Sequence, residues 1–240
     1  TVDPAEIEKF SRLAADWWNP GGKFKPLHKF NPVRLAYIRD AAVSHFRRDG
    51  GARAPLTGLT LVDIGCGGGL VAEPMRRLGA AVTGVDASGP NIEAARGHAR
   101  EGGLEIDYRA MSVEALSETA ARFDIVLNLE AVEHTADPAL FIRTSAALLK
   151  DDGLIVVATI NRTLKAFALA KVGAEYVLGW LPRGTHDYAR FLKPEELEAM
   201  LSEAGLRVTG RAGTTFDPLA DRWRLSSDLA VNYMITAVKR

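Results

Sequence analysis

Three groups of residues in this chain have the types and spacing to do chemistry. The first is Gly65-Cys66-Gly67-Gly68-Gly69, preceded by the apolar run Leu61-Val62-Asp63-Ile64 and followed by helical sequence. An apolar strand that turns through spaced glycines lets backbone approach a ligand without interference from Cβ atoms. The second is Asp86, which closes the next apolar run at the spacing where an acidic residue of such folds grips a ribose. Without a ligand, the same residues would be a tight turn and an aspartate capping the next helix. Because both sit in the right strand context, a nucleotide-type cofactor is the expectation.

The third group is Glu130-Ala-Val-Glu133-His134, just after the apolar run Phe123 to Leu127. If that turn is helical, the three side chains stand at i, i+3 and i+4 and share one face. Two carboxylates and an imidazole there could hold a divalent metal such as Mg2+ in a partial shell completed by water and substrate oxygens. His134 is also a candidate general base, since an unperturbed imidazole titrates near pH 6.5. Glu130, Glu133 and His134 are therefore both the catalytic and the metal candidates. The plainer alternative is an acidic helix start with an ordinary surface histidine.

The elements that must position these groups follow from the pattern. Apolar runs at 61–64, 82–85, 106–110, 123–127 and 154–160 alternate with helical stretches, which predicts a parallel sheet with right-handed crossovers. Helix 193–204 and strands 206–215 and 231–238 complete it. Pro74 falls inside the first of the crossover helices, where it is expected to cost a hydrogen bond and bend the axis. Ahead of the sheet, Asp3-Pro4 starts a lead-in helix whose Ile7, Phe10, Ala14, Trp17 and Trp18 share a face. Asn31-Pro32 starts a second helix, through about Phe46. The expected division is a helical cap and linker over 1–58 and a cofactor-binding domain over 59–240, with an inserted helical segment at about 162–187. Trp17, Trp18 and His28 could wall a pocket or simply be core. Cys66 is expected to be a small filler.

Composition narrows the function. Thirty basic residues balance thirty acidic ones in 240, so no global field favours nucleic acid. One cysteine excludes an internal disulfide and a cysteine metal cluster, which suits a reducing compartment. The apolar stretch from Lys165 to Trp180 is too short and too charged to span a bilayer. It is either a lid or a surface that rests on anionic lipid through Lys165, Lys171 and Arg183, with Phe167, Tyr176 and Trp180 in the interface. The expected location is the cytoplasm, with peripheral contact on the inner face of the inner membrane, or the matrix side if mitochondrial.

The glycines are spaced more closely than the G-x-G-x-x-G of nicotinamide enzymes, and with Asp63 ahead of them the loop resembles that of class I methyltransferases, which bind S-adenosylmethionine. More specific motifs accompany it: Trp17-Trp18, Phe24-Lys-Pro-Leu-His28, Asn31-Pro32-x-Arg34, Glu130-x-x-Glu133-His134, Asn161-Arg162, Gly173-Ala-Glu-Tyr176, Gly184-Thr-His-Asp187, Phe191 and Val231-Asn-Tyr-Met234. On these residues the chain resembles the ubiquinone biosynthesis O-methyltransferases nearly end to end.

That resemblance implies a Rossmann-like α/β fold with a seven-stranded, mostly parallel sheet and helices on both faces. It implies methylation of two hydroxyls, on 3-demethylubiquinol and on a 2-polyprenyl-6-hydroxyphenol, with S-adenosylmethionine as cofactor and Mg2+ as a candidate second one. Carried over from the resemblance, cofactor contacts would fall on Arg34, Gly65, Asp86 and Leu129, and the loop pattern itself adds Asp63 and Gly67 as cofactor candidates. Ser112 and Val113 stand at the adenine position without the acidic contact many methyltransferases place there. Expected partners are the polyprenylated phenol or quinol, anionic lipid and a biosynthetic complex, with no nucleic acid. The competing readings are another small-molecule methyltransferase of this class, a nicotinamide-dependent dehydrogenase and a nonenzymatic lipid-binding or scaffold protein.

Overall fold

The computed structural model describes residues 1–168, 188–217 and 219–240. Among these, eight strands form one sheet in the order β3-β2-β1-β4-β5-β8-β6-β7. The parallel part is β1 (Thr60–Ile64), β2 (Ala81–Asp86), β3 (Asp107–Ala110), β4 (Phe123–Leu129) and β5 (Leu149–Ile160). β8 (Asn232–Lys239) runs antiparallel to both β5 and β6 (Leu206–Asp217), and β7 (Arg222–Ser226) hairpins onto the outer edge of β6. Seven strands were expected from the sequence, and the eighth is β7. Its residues, Arg-Trp-Arg-Leu-Ser, alternate polar and apolar, but the run is short and carries only two apolar positions, and exposed edge strands are commonly charged in this way.

Both faces of the sheet are covered, because β1, β4 and the Leu154–Ile160 part of β5 are mostly apolar and buried, and alternate side chains must bury on opposite sides. Leu61, Ile125, Leu127 and Val156 pack with Ile38, Met75 and Ile92 beneath α2 (Lys25–His45), α3 (Ala72–Arg77) and α4 (Gly89–Glu101). Val62, Val126, Ile155 and Val157 pack with Phe141, Ile142, Leu197 and Leu201 beneath α5 (Val113–Ser117), α6 (Pro138–Ala147) and α8 (Pro194–Glu203). The short α7 (Leu164–Ala166) opens the inserted segment. The expectations for 169–187, including the lid or lipid face and the Gly173 and Gly184 motifs, lie outside the described residues.

The N-terminal helices differ from their sequence reading. α1 is only Pro4–Ser11, capped by Asp3, whose carboxylate accepts from Ala5 N–H at 3.0 Å; a separate 3-10 turn covers Ala14–Asp16. α2 begins at Lys25 rather than Asn31, because Pro26 occupies the first turn, where no amide donor is needed, while Pro32 lies inside the helix. Pro74 does not kink a helix interior either, since it is the third residue of α3. Glu73 N–H already bonds Gly69 O at 3.1 Å, so a residue other than proline at 74 would reach Leu70 O. That carbonyl is taken instead by Asn31 Nδ2, at 2.7 Å. The missing amide of Pro74 thereby opens an acceptor that ties α2 to the glycine loop.

Candidate active site

The strand order reverses between β1 and β4, and in open α/β sheets the ligand crevice lies at the carboxyl ends of the strands flanking that point. β1 ends there in Gly65–Gly69 and β4 in Leu129 and Glu130. A cavity of about 260 Å³ occupies the place, lined by Arg34, Asp63, Gly65, Gly67, Asp86, Leu129, Ser112 and Val113, and equally by Glu130, Glu133 and His134. The fold thus brings every candidate residue to one cavity. Trp17 also lines it, as anticipated for one of the two tryptophans, whereas Trp18 and His28 stand behind the loop.

The cofactor half is built from backbone. Gly67 has φ +53 and Gly69 φ +88, the left-handed region that favours glycine, and an added Cβ at Gly67 would overlap the Trp17 indole. Trp17 stacks flat on Phe24, ring centroids 3.8 Å apart, and donates from Nε1 to Asn91 Oδ1 at 2.9 Å. Trp18 donates to Gly68 O at 2.8 Å and stacks on His98. The cap therefore holds the loop from outside while the cavity side stays open. Asp86 accepts from Gly67 N–H at 2.9 Å and from Ser88 N–H at 2.8 Å, so it fastens the loop to Ser88, the N-cap of the next helix. Oδ1 also accepts from Asn91 Nδ2 at 3.4 Å, whereas Oδ2 takes only the Gly67 N–H and so keeps a lone pair for a ribose hydroxyl. Burial raises the pKa of Asp86 against these backbone bonds. Ser112 is the N-cap of α5, and Cys66 is buried with its thiol pKa pushed up by that burial.

Arg34 is the buried cation of the site. Its Nη2 donates to Asn31 Oδ1 at 3.0 Å, its guanidinium lies 5.1 Å from the Phe30 ring centroid, and its Nε has no hydrogen-bond partner among the described residues. A buried, unpartnered donor on a cation fits an anion such as a carboxylate. Nearby, burial pushes the Asp63 pKa up to about 7, with Arg34 pulling against the rise and Asp86 adding to it.

The acceptor half differs from the expected helix face. Glu130 takes φ +52, and only a single 3-10 turn, Val132–His134, follows. β4 pairing continues into the Glu130 N–H, which bonds Ala158 O at 2.9 Å, so the chain leaves the sheet too late to begin an α-helix there. His134 consequently parts from the two carboxyls. Glu133 is buried, with Oε2 accepting from Thr159 Oγ1 at 2.9 Å. His134 Nδ1 lies 2.8 Å from Glu6 Oε2. Among the described residues no three His, Cys, Asp or Glu side chains are arranged to hold a metal. The two carboxyls remain a pair: the buried Oε1 atoms of Glu130 and Glu133 find no donor on any other described residue, and the two side chains hydrogen-bond one another. Burial, then the charge of Glu130, holds the Glu133 pKa well above the ordinary range. Glu130 is raised by burial, with Arg34 opposing.

Residues that the sequence reading did not single out for the site also line the cavity, notably Glu6, Ile7 and Phe10 of α1. No local signal could reveal them. Glu6 and His134 are 128 positions apart, and an amphipathic helix does not say which distant residue its polar side meets.

Comparison with known proteins bears on both halves. Residues 35–210 match the family model described as a methyltransferase domain. The chain is 60% identical over 239 residues to the ubiquinone biosynthesis O-methyltransferase of Chelativorans sp. (strain BNC1), covering 100% of this chain and 94% of that one. It is 59% identical to the protein of the same name from Brucella anthropi, covering 99% and 96%. Among solved structures, magnesium protoporphyrin IX methyltransferase from Synechocystis PCC 6803 with bound S-adenosylhomocysteine superposes with a TM-score of 0.67 at 18% identity, over 97% of this chain and 95% of that one. A Thermotoga maritima S-adenosylmethionine-dependent methyltransferase superposes at 0.65, with 18% identity and coverage of 98% and 99%. These structural likenesses speak for the class I methyltransferase fold.

Proposed function

The chain belongs to the ubiquinone biosynthesis O-methyltransferases, and from that premise we propose that its cavity methylates ring hydroxyls of polyprenylated catechols, on 3-demethylubiquinol and on 2-polyprenyl-6-hydroxyphenol. It is an S-adenosylmethionine-dependent O-methyltransferase. The observation that carries the acceptor assignment is a single cavity lined both by the glycine loop with Asp86 and by Glu130, Glu133 and His134.

When bound, S-adenosylmethionine supplies a methyl group already activated on a sulfonium. The chain's part is to bind, orient and deprotonate. Arg34 Nε is the donor for the methionyl carboxylate, Asp86 the acceptor for a ribose hydroxyl, and Leu129, Ser112 and Val113 line the remaining wall. Holding the phenolic oxygen in line with the methyl group can supply roughly 7 to 11 kcal/mol of the barrier. The acceptor's O–C bond forms as the S–C bond breaks, and that electron pair leaves on sulfur. A phenol with a pKa near 10 must first lose its proton. His134 receives it at Nε2, because Nδ1 is engaged by Glu6.

The Oε1 atoms of Glu130 and Glu133, on two buried carboxyls that meet no other donor among the described residues, also fit a divalent cation. These two carboxyls are the residues that would hold one, in a partial shell completed by water and substrate oxygens with His134 left to the proton, and bound there it would supply Lewis-acid stabilisation of a catecholate. Anionic lipid is a further part of this reading, supported by the interleaving of Lys165, Lys171 and Arg183 with Phe167, Tyr176 and Trp180 in the sequence. No helix among the described residues is long and apolar enough to cross a membrane.

One assay tests the whole reading: methyl-labelled S-adenosylmethionine with a short-chain polyprenyl catechol carried in vesicles. Label is expected in a new methoxy group, and no incorporation with any catechol would sink the reaction. Chelator should cut turnover at least about tenfold, with recovery on adding Mg2+; unchanged turnover removes the cation. The protein should sediment with anionic vesicles and not neutral ones, and sedimentation with neither removes the lipid contact.

A further inference from the structure

We propose that Glu6, on the N-terminal helix, is a positioning residue that fixes the tautomer and orientation of His134. The inference rests on the reading above, in which His134 works through Nε2, and adds to it a residue from outside the sheet. Glu6 Oε2 lies 2.8 Å from His134 Nδ1, both side chains about one-fifth exposed. A carboxylate can only accept, so the bond requires the proton on Nδ1 and, in a neutral ring, leaves the lone pair on Nε2. One helical turn on, Phe10 meets the same imidazole edge-on, with centroids 5.2 Å apart and an interplanar angle of 81°. The i and i+4 side chains of α1 thus hold one ring by a hydrogen bond and by an aromatic edge.

The placement of α1 is what makes this a functional rather than a packing contact. None of its residues is buried. It is tied instead to separate segments around the cavity rim: Asp3 to Arg190 at 3.0 Å, Ser11 Oγ to Ser88 Oγ at 2.7 Å, and Glu6 to His134. Lys9 Nζ lies 3.4 Å from both Glu6 oxygens and completes the local charge balance. A helix that contributes no core residue yet delivers a carboxylate to the imidazole of the cavity matches the arrangement by which an outer carboxylate orients a working histidine. Removing one such outer-shell partner typically costs 10–100-fold in activity or metal affinity.

The test uses the full chain and two variants. In the unaltered protein, 15N spectra of the His134 side chain, assigned with His134→Gln, should show the Nδ1–H tautomer. Glu6→Ala should shift the ring toward Nε2–H and lower kcat by about 10–100-fold, with S-adenosylhomocysteine affinity and melting temperature little changed. Glu6→Gln, whose amide oxygen still accepts from Nδ1–H, should keep the tautomer and most of the activity. An unchanged His134 tautomer in Glu6→Ala overturns the proposal, as does a loss of cofactor affinity and stability in step with kcat. Failure of the unaltered chain to transfer methyl would refute the reaction while leaving the tautomer result intact, so the two failures are distinguishable.

Discussion

At the scale of single residues, the site is a set of buried polar groups left short of partners. Arg34 Nε is buried with no hydrogen-bond partner among the described residues, and the buried Oε1 atoms of Glu130 and Glu133 find no donor outside their own pair. Such groups are costly in a folded protein and are kept where a ligand completes them. For Arg34 the expected consequence is direct. Arg34→Lys keeps a charge but loses the planar fork, and one charge-assisted hydrogen bond is worth about 1.5–3 kcal/mol. Calorimetry should therefore show S-adenosylhomocysteine binding weakened by tenfold or more, and equal affinity would remove Arg34 from the cofactor site. Residue types alone had marked Arg34, Asp86 and the Glu130 to His134 group. The direction in which each side chain leaves the backbone was not in the types, since a single left-handed residue at Glu130 turned a helix face into a carboxyl pair and a separate imidazole.

At the scale of elements, the cap and the glycine loop are joined by a donor and a missing donor. Asn31 Nδ2 bonds Leu70 O at 2.7 Å because Pro74 has no amide to offer that carbonyl, and Asn31 Oδ1 at the same time accepts from Arg34 Nη2. Asn31→Ala leaves the Leu70 carbonyl short and should cost about 1–3 kcal/mol in urea unfolding. Adding Pro74→Ala returns an amide to the carbonyl, so the double variant should regain much of that stability. It should not regain cofactor affinity, because Arg34 still lacks its Asn31 partner. Equal stability of the single variant and the parent would refute the arrangement. Proline in a helix reads from sequence as a break; only the neighbouring helix shows that the freed carbonyl is used.

For the molecule as a whole, the buried charges make stability depend on pH. Asp63, 3% exposed, has its pKa pushed to about 7 from the ordinary 3.8, chiefly by burial. Between those values the folded chain holds a proton that the unfolded chain has released, so this group lowers stability as pH rises. The effect is absent below the unfolded value and complete above about pH 7. Cofactor-free Asp63→Asn should thus match the parent near pH 4 and exceed it by up to a few kcal/mol near pH 8. Urea unfolding across that range checks the sign; a difference independent of pH would show that Asp63 is already ionised in the fold. The same variant should bind cofactor more weakly, since Asp63 lines the cavity.

The order of strands and helices through β5, the glycine turn, the acidic end of β2 and the chemistry of the cofactor half are local properties, carried by short runs whose apolar period and glycine spacing have few other solutions. The sequence by itself determined these. The edge strand β7 and the late exit of β4 were decided by tertiary packing, where neighbouring elements override weak or ambiguous local preference, whereas the early start of α2 follows locally from Pro26 in its first turn. The pairing of Glu6 with His134 was likewise decided by tertiary packing. It joins two segments 128 residues apart, and no periodicity within either one encodes the other.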